Sequence, residues 1–204
     1  MRGAEVLAVA YAAGSIPFSN IAARWLRGVD LRHVGTGTVS GTGLYRIAGF
    51  VPLAVAGSLD VAKGALGPLL AGRDRPVLAA LAGGAAVAGH DWSPFLGGSG
   101  GRGISPAIGS LLANANARPG AAVLLSGLAA GRLARKTSLG CFVAFVALVP
   151  VLAATRGRRG AVAGAAVLVP LLSKRVLGNR PPTGRDRLSV YLTRLVYDQD
   201  EPPR

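Results

Sequence analysis

What most constrains this chain is a run of seven apolar segments with almost no charge inside them, roughly residues 6–23, 49–71, 77–89, 104–117, 120–133, 139–154 and 161–172. A bilayer core about 30 Å thick is crossed by about 20 helical residues, a length the first two segments supply comfortably. The third, fourth and fifth are short, and they adjoin Gly-rich polar stretches. That pattern implies helices that stop at a cavity, with irregular backbone buried inside a bundle. Segments 49–71 and 120–133 show no regular polar face, which disfavours a water-soluble Ala/Gly-rich bundle. With 30 Gly in 204 residues, the segments can approach one another closely in lipid. The expectation is an all-α, polytopic membrane bundle of about seven transmembrane helices, several of them short, joined by Gly-rich cytoplasmic loops.

Charge sits outside these segments. The chain carries 23 Lys+Arg against 9 Asp+Glu, a net +14, although only 16% of its residues are charged and 50% are hydrophobic. A disordered basic tail would be poor in apolar residues, and nucleic-acid modules rarely carry long uncharged runs, so no nucleic-acid partner is expected. With the N-terminus outside, 15 Lys+Arg fall on the inner side and 7 on the outer, Lys63 lying within a span. That bias supports an N-out, C-in orientation with a basic cytoplasmic tail at 176–204 following a membrane domain at 1–175. The segment at 6–23 holds Gly14-Ser15-Ile16-Pro17 and has no clean cleavage site, so it reads as a kinked span with a freed carbonyl in need of a partner. One Cys and two His cannot close a zinc site or an internal disulfide, and nothing in the sequence calls for a metal or an organic cofactor.

Three polar stretches share the inner face, two glycine loops and the tail around Arg185, Arg187 and Arg194. The first runs Gly35-Thr36-Gly37-Thr38-Val39-Ser40-Gly41-Thr42-Gly43, with Arg46 following; the second runs Gly97-Gly98-Ser99-Gly100-Gly101-Arg102-Gly103 into segment 104–117. Glycines let backbone amides converge on an anion, hydroxyls add donors, and arginine supplies a bidentate charge. A Gly loop opening onto a helix N-terminus is a natural phosphate seat. Neither loop fits a dinucleotide fingerprint or a nucleotide P-loop. Singly, each could be a turn; together they suggest a site for one or two phosphate groups.

Asp60 and Lys63, three residues apart in the second span, can face each other on one helical side. A lone Lys at mid-membrane costs roughly 3 kcal/mol, so either a register-fixing ion pair or a role in ligand binding is expected. His90 is a candidate base or a helix-end cap. His33 reads as solvated, Trp25 and Trp92 as interfacial anchors, and the basic tail as a partner for anionic membrane lipid.

The ordered residues resemble the bacterial acyl-phosphate:glycerol-3-phosphate acyltransferases of the PlsY type. The likeness runs through Gly14-Ser15-Ile16-Pro17-Phe18, Val29-Asp30-Leu31-Arg32-His33-Val34-Gly35-Thr36-Gly37, Asp60-Val61-Ala62-Lys63-Gly64 and Gly89-His90. It continues from Pro94-Phe95-Leu96-Gly97 to Gly100-Gly101-Arg102-Gly103, then Arg135-Lys136-Thr137-Ser138-Leu139 and Arg194-Leu195. The resemblance implies a bacterial inner-membrane enzyme moving an acyl group from acyl phosphate to the 1-hydroxyl of glycerol 3-phosphate, giving lysophosphatidic acid. It implies substrate contacts from Thr36, Gly37, Thr42, Arg46, Gly100, Gly101, Arg102, Gly103 and Ser138, with Asp60 and Lys63 in support.

The chain departs from that pattern in three places. Thr38 and Gly43 stand where the family has Asn, Gly98-Ser99 replaces a Phe-Lys, and a tail His-x-x-Asn pair falls, in the register of Arg194-Leu195, on Leu188 and Tyr191. The missing pair keeps open a non-catalytic relative that binds a phosphorylated lipid or metabolite. Intramembrane Asp60 and Lys63 keep open a small-solute transporter, without an inverted repeat to support it.

Overall fold

A computed structural model describes residues 1–35, 37–182 and 186–201. It contains α1 (Gly3–Gly14), α2 (Phe18–Arg27), α3 (Gly41–Ala48), α4 (Phe50–Ala71), α5 (Pro76–Asp91), α6 (Ile104–Ala113), α7 (Arg118–Leu133), α8 (Thr137–Leu177) and α9 (Arg187–Tyr197), with 3-10 turns at Leu31–His33 and Pro94–Leu96. Among the described residues there is no strand. Three stretches, Gly3–Arg27, Phe50–Ala71 and Thr137–Leu177, are long and apolar enough to cross a membrane, and Ile104–Ala113 is a shorter apolar helix.

The long α8 is a hairpin. A straight helix would hold Ser138 and Arg175 about 55 Å apart at 1.5 Å per residue. Instead Arg175 Nη2 donates to the Ser138 carbonyl at 2.8 Å. The reversal is at Gly157, whose φ of 61° and ψ of −153° are non-helical, within the charged run Arg156 to Arg159. The two arms therefore correspond to the last two expected segments. They pack Ala144, Phe145, Leu148 and Leu152 against Ala163, Val167 and Leu171, joined by Leu124 of α7 and Leu111 of α6.

Small residues set the remaining contacts. At Gly64 of α4 an added methyl would overlap the Pro106 backbone of α6, and at Gly109 of α6 it would overlap the Val61 backbone. These two helices thus meet backbone to backbone, as close packing in lipid requires.

The first span is more broken than its sequence suggests. Rather than one kinked helix, α1 and α2 are separated by Ser15-Ile16-Pro17. Pro cannot donate, so local carbonyls need outside partners. Ser93 Oγ donates to Ser15 O at 2.6 Å, Lys63 Nζ to Ile16 O at 2.6 Å, and Ser15 Oγ to Tyr11 O at 2.8 Å. Beyond the break α2 carries its buried residues, Ser19, Asn20 and Ala23, on one side, while Trp25 is 85% exposed. Trp92 is half-buried, its ring centroid 5.2 Å from Lys174 Nζ.

Candidate functional site at the two glycine loops

The site is built on the C-terminal end of α5. The second glycine loop folds back on it: Gly101 N donates to His90 O at 3.1 Å, and any side chain at Gly100 would overlap the carbonyls of His90 and Asp91. His90 Nε2 lies against Gly101, and Nδ1 is 3.7 Å from Asp60 Oδ1. Lys63 pairs with that same Asp60 oxygen at 2.7 Å, both side chains being buried. The pair expected from sequence thus forms, and it links the break in the first span to the imidazole beneath the loop. Ser15, Pro17, Phe18, Val39, His90 and Gly101 enclose a small cavity there.

The first loop meets the second directly. Val39 N donates to Gly100 O at 3.1 Å. Asn179, just past the end of α8, ties the two: Gly100 N donates to its Oδ1 at 3.1 Å, and its Nδ2 donates to Gly37 O at 3.0 Å and Gly100 O at 2.9 Å. Every polar atom of this amide is thereby spent on loop backbone. Ser40 caps α3, its hydroxyl accepting from Gly43 N at 3.2 Å.

The backbone donors of the two loops are unequally used. The amides of Gly100 and Gly101 already donate within the site, to Asn179 Oδ1 and His90 O. At the N-terminus of α6, the buried Asp91 carboxylate lies against Gly103. The first turn of α3 is different. The Gly41 and Thr42 amides have no acceptor among the described residues. Thr42 and Arg46, four residues apart, are both exposed on one face of that helix. A helix N-terminus with a cation one turn along favours an anionic group. Arg180 adds a second guanidinium, its Nε close to Gly37 while Nη2 donates to Arg32 O at 3.3 Å. Thr36 lies outside the described residues.

Arg102 does not stand free. It pairs with Asp198 at 2.9 Å and donates to Lys174 O at 2.8 Å, securing the loop to the tail helix. Burial pushes the Asp198 carboxyl up, against the neighbouring Arg102. Ser138 contributes its carbonyl to Arg175, on the side where α9 docks. Asp30 caps the 3-10 turn before the first loop, and the Arg32 guanidinium holds its carboxyl well below the usual carboxylate range.

A sequence profile described as glycerol-3-phosphate acyltransferase matches residues 5–178. The chain belongs to the glycerol-3-phosphate acyltransferase family. A family relative of that name from Synechococcus sp. (strain CC9902) is 39% identical over 169 residues, 82% of this chain and 84% of the relative. Two crystal structures of PlsY (YgiH), an integral membrane glycerol 3-phosphate acyltransferase, share the fold. The glycerol 3-phosphate form has TM-score 0.74 and 29% identity, over 85% of this chain and 88% of that one. The lysophosphatidic acid form has TM-score 0.72 and 27% identity, over 85% and 87%. This chain is accordingly a membrane acyltransferase, as the sequence resemblance implied.

Within this acyltransferase, the positions that the register from Arg194-Leu195 assigns lie on α9. Leu188 is 69% exposed on α9, away from the loops. The tail side chain that hydrogen-bonds both loops is Asn179, with Val176 three residues before it. Its signal in the sequence is a polar amide between Gly178 and Arg180, seven residues past the last apolar segment.

Proposed function

We propose that this acyltransferase moves a fatty acyl group from acyl phosphate to the 1-hydroxyl of glycerol 3-phosphate, releasing lysophosphatidic acid and inorganic phosphate. The observation that carries this reading is the joining of the two glycine loops through Val39, Gly100 and Asn179 beside an open helix N-terminus and two guanidinium groups. Both polar substrates carry phosphate, and the site needs no metal or organic cofactor to act on them.

An acyl phosphate is already activated. The hydroxyl oxygen attacks the acyl carbonyl, a C–O ester bond forms, and the anhydride C–O bond breaks with phosphate leaving. The hydroxyl proton passes to the departing phosphate. His90, with Nε2 under Gly101, holds the loop's shape and takes that proton only where a substrate hydroxyl reaches it. Catalysis then rests on positioning and on neutralising phosphate charge. Thr42, the α3 amides, Arg46 and Arg180 supply that charge and orientation. Gly37, Gly100, Gly101, Gly103 and Arg102 shape the floor, Ser138 borders the tail side, and Asp60 with Lys63 supports His90.

The reading further places the chain in the bacterial plasma membrane, N-terminus outside, with a membrane domain at 1–175 and the tail at 176–204 cytoplasmic. The excess of inner-side cations supports that orientation. Purified protein incubated with palmitoyl phosphate and labelled glycerol 3-phosphate should form labelled lysophosphatidate. Folded protein that binds glycerol 3-phosphate yet forms no acylated product would make it a non-catalytic relative and overturn this reading.

A further inference from the structure

A second cavity lies away from the glycine loops. It is a cleft of about 450 Å³ between α4, α5 and α6, within the range of roughly 300–1,000 Å³ usual for small-molecule sites. It lies at the other end of α5, around Pro76 and Ala79, about 20 Å along the helix from His90 at 1.5 Å per residue. Its walls are apolar: Val61, Ala65 and Leu69 of α4 and Leu112 of α6. Leu69 is 65% and Leu112 46% exposed, so the walls continue onto the surface that faces the acyl chains.

Polar groups gather at one end only. Arg73, just beyond α4, and Arg118, the first residue of α7, both line the cleft. Both are exposed, and neither has a hydrogen-bond or ion-pair partner among the described residues. Asn114 lines it too, 4% exposed. Its Oδ1 accepts from Asn116 N at 3.0 Å, while its amide nitrogen has no partner among the described residues. Asp74 stands in the same turn as Arg73 but is not among the lining residues. An apolar slot open to lipid, with two arginines and an amide donor at the helix ends, has the polarity of a phospholipid. One acyl chain fits the α4–α6 wall, and a phosphodiester meets the guanidinium groups at headgroup depth.

We propose that this cleft is a binding site for an anionic phospholipid of the surrounding membrane, separate from the acyl-transfer site. The charge argues for anionic over zwitterionic lipid, since guanidinium groups beside a headgroup attract net negative charge. The apolar wall argues for an intact lipid rather than free phosphate.

The test uses the full chain in neutral detergent, titrated by native mass spectrometry with phosphatidylglycerol or phosphatidylcholine of identical chains. Phosphatidylglycerol should bind on the order of thirtyfold more tightly, and Arg73→Gln/Arg118→Gln should remove most of that preference. Ala65→Phe, which fills the slot, should weaken binding of both lipids, and millimolar inorganic phosphate should displace neither. Acyl transfer by the double variant, normal against the unmodified chain, reports that it is folded. Equal affinity for the two lipids, a preference that survives the double variant, or displacement by phosphate would each overturn the proposal.

Discussion

Replacing Asn179 with alanine isolates what joins the two loops. The substitution removes three hydrogen bonds, Gly100 N to Oδ1 at 3.1 Å and Nδ2 to Gly37 O and Gly100 O at 3.0 and 2.9 Å. At a net of about 1 kcal/mol each, the loss is about 3 kcal/mol of loop registration. If the active geometry requires that registration, kcat/KM falls on the order of 100-fold, at about 1.4 kcal/mol per decade. The Val39 N to Gly100 O bond survives, so the loops stay in contact and the chain remains folded. Asn179→Asp is the sharper variant: its carboxylate keeps the acceptor but sets an oxygen against two carbonyls, and should be at least as damaging. Leu188→Ala and Tyr191→Ala should change kcat/KM by less than about threefold. The assay is initial rate against glycerol 3-phosphate at fixed palmitoyl phosphate, with thermal unfolding measured on the same samples. An Asn179→Ala enzyme that melts normally and keeps most of its activity would refute the reasoning.

Gly101→Ala puts a methyl group into His90 Nε2 and the Val39 carbonyl, so about 1–3 kcal/mol of overpacking and a severe loss of activity are expected, read from unfolding and rate together. Lys63→Met strands the buried Asp60 carboxylate and the Ile16 carbonyl, and should cost about 3–5 kcal/mol. Lys63→Met/Asp60→Leu should recover much of that, and a double variant no more stable than the single would contradict the ion-pair assignment. The Asp30 carboxyl titrates below its unfolded value because of Arg32. Its stabilisation is therefore present above about pH 4 and lost as pH falls from there toward the depressed value. The melting difference between wild type and Asp30→Asn should shrink on acidification through that range, and a difference constant with pH would exclude the contact.

The apolar segments made the helices legible, because a stretch of uncharged residues in lipid has few alternatives to a helix. The Asp60–Lys63 pair was equally legible, since charges three apart on one helix can meet without any knowledge of the fold. Donor use within the loops was not. Which glycine amides are open depends on what folds over them, and Gly100 N is taken by a side chain 79 positions away. Arg102 reads in sequence as a phosphate cation, yet its partner Asp198 lies on a different element. The tail shows the same limit: Arg194-Leu195 marks a docked helix, while the amide bonded to both loops is Asn179, before that helix begins.

The arginines at the ends of α8 and α9 serve as internal donors. The last carbonyls of any helix lack partners of their own. Arg175, at the end of α8, donates to Leu195 O at 2.7 Å and Val196 O at 2.8 Å, the last turn of α9. Arg194, on α9, donates to Leu177 O at 2.9 Å, the last residue of α8, and to Arg180 O at 3.2 Å. Each helix thus caps the C-terminus of the other, where the helix dipole also favours a cation. Both arginines are nearly fully buried by this exchange, Arg175 at 3% and Arg194 at 4% exposure. The segment between the two capped ends carries Asn179 and Arg180, and the carbonyl of Arg180 is itself one of the acceptors. Reciprocal capping therefore fixes the position of the chain that reaches the glycine loops. Charges that raise the net value to +14 are in part internal donors that assemble the site.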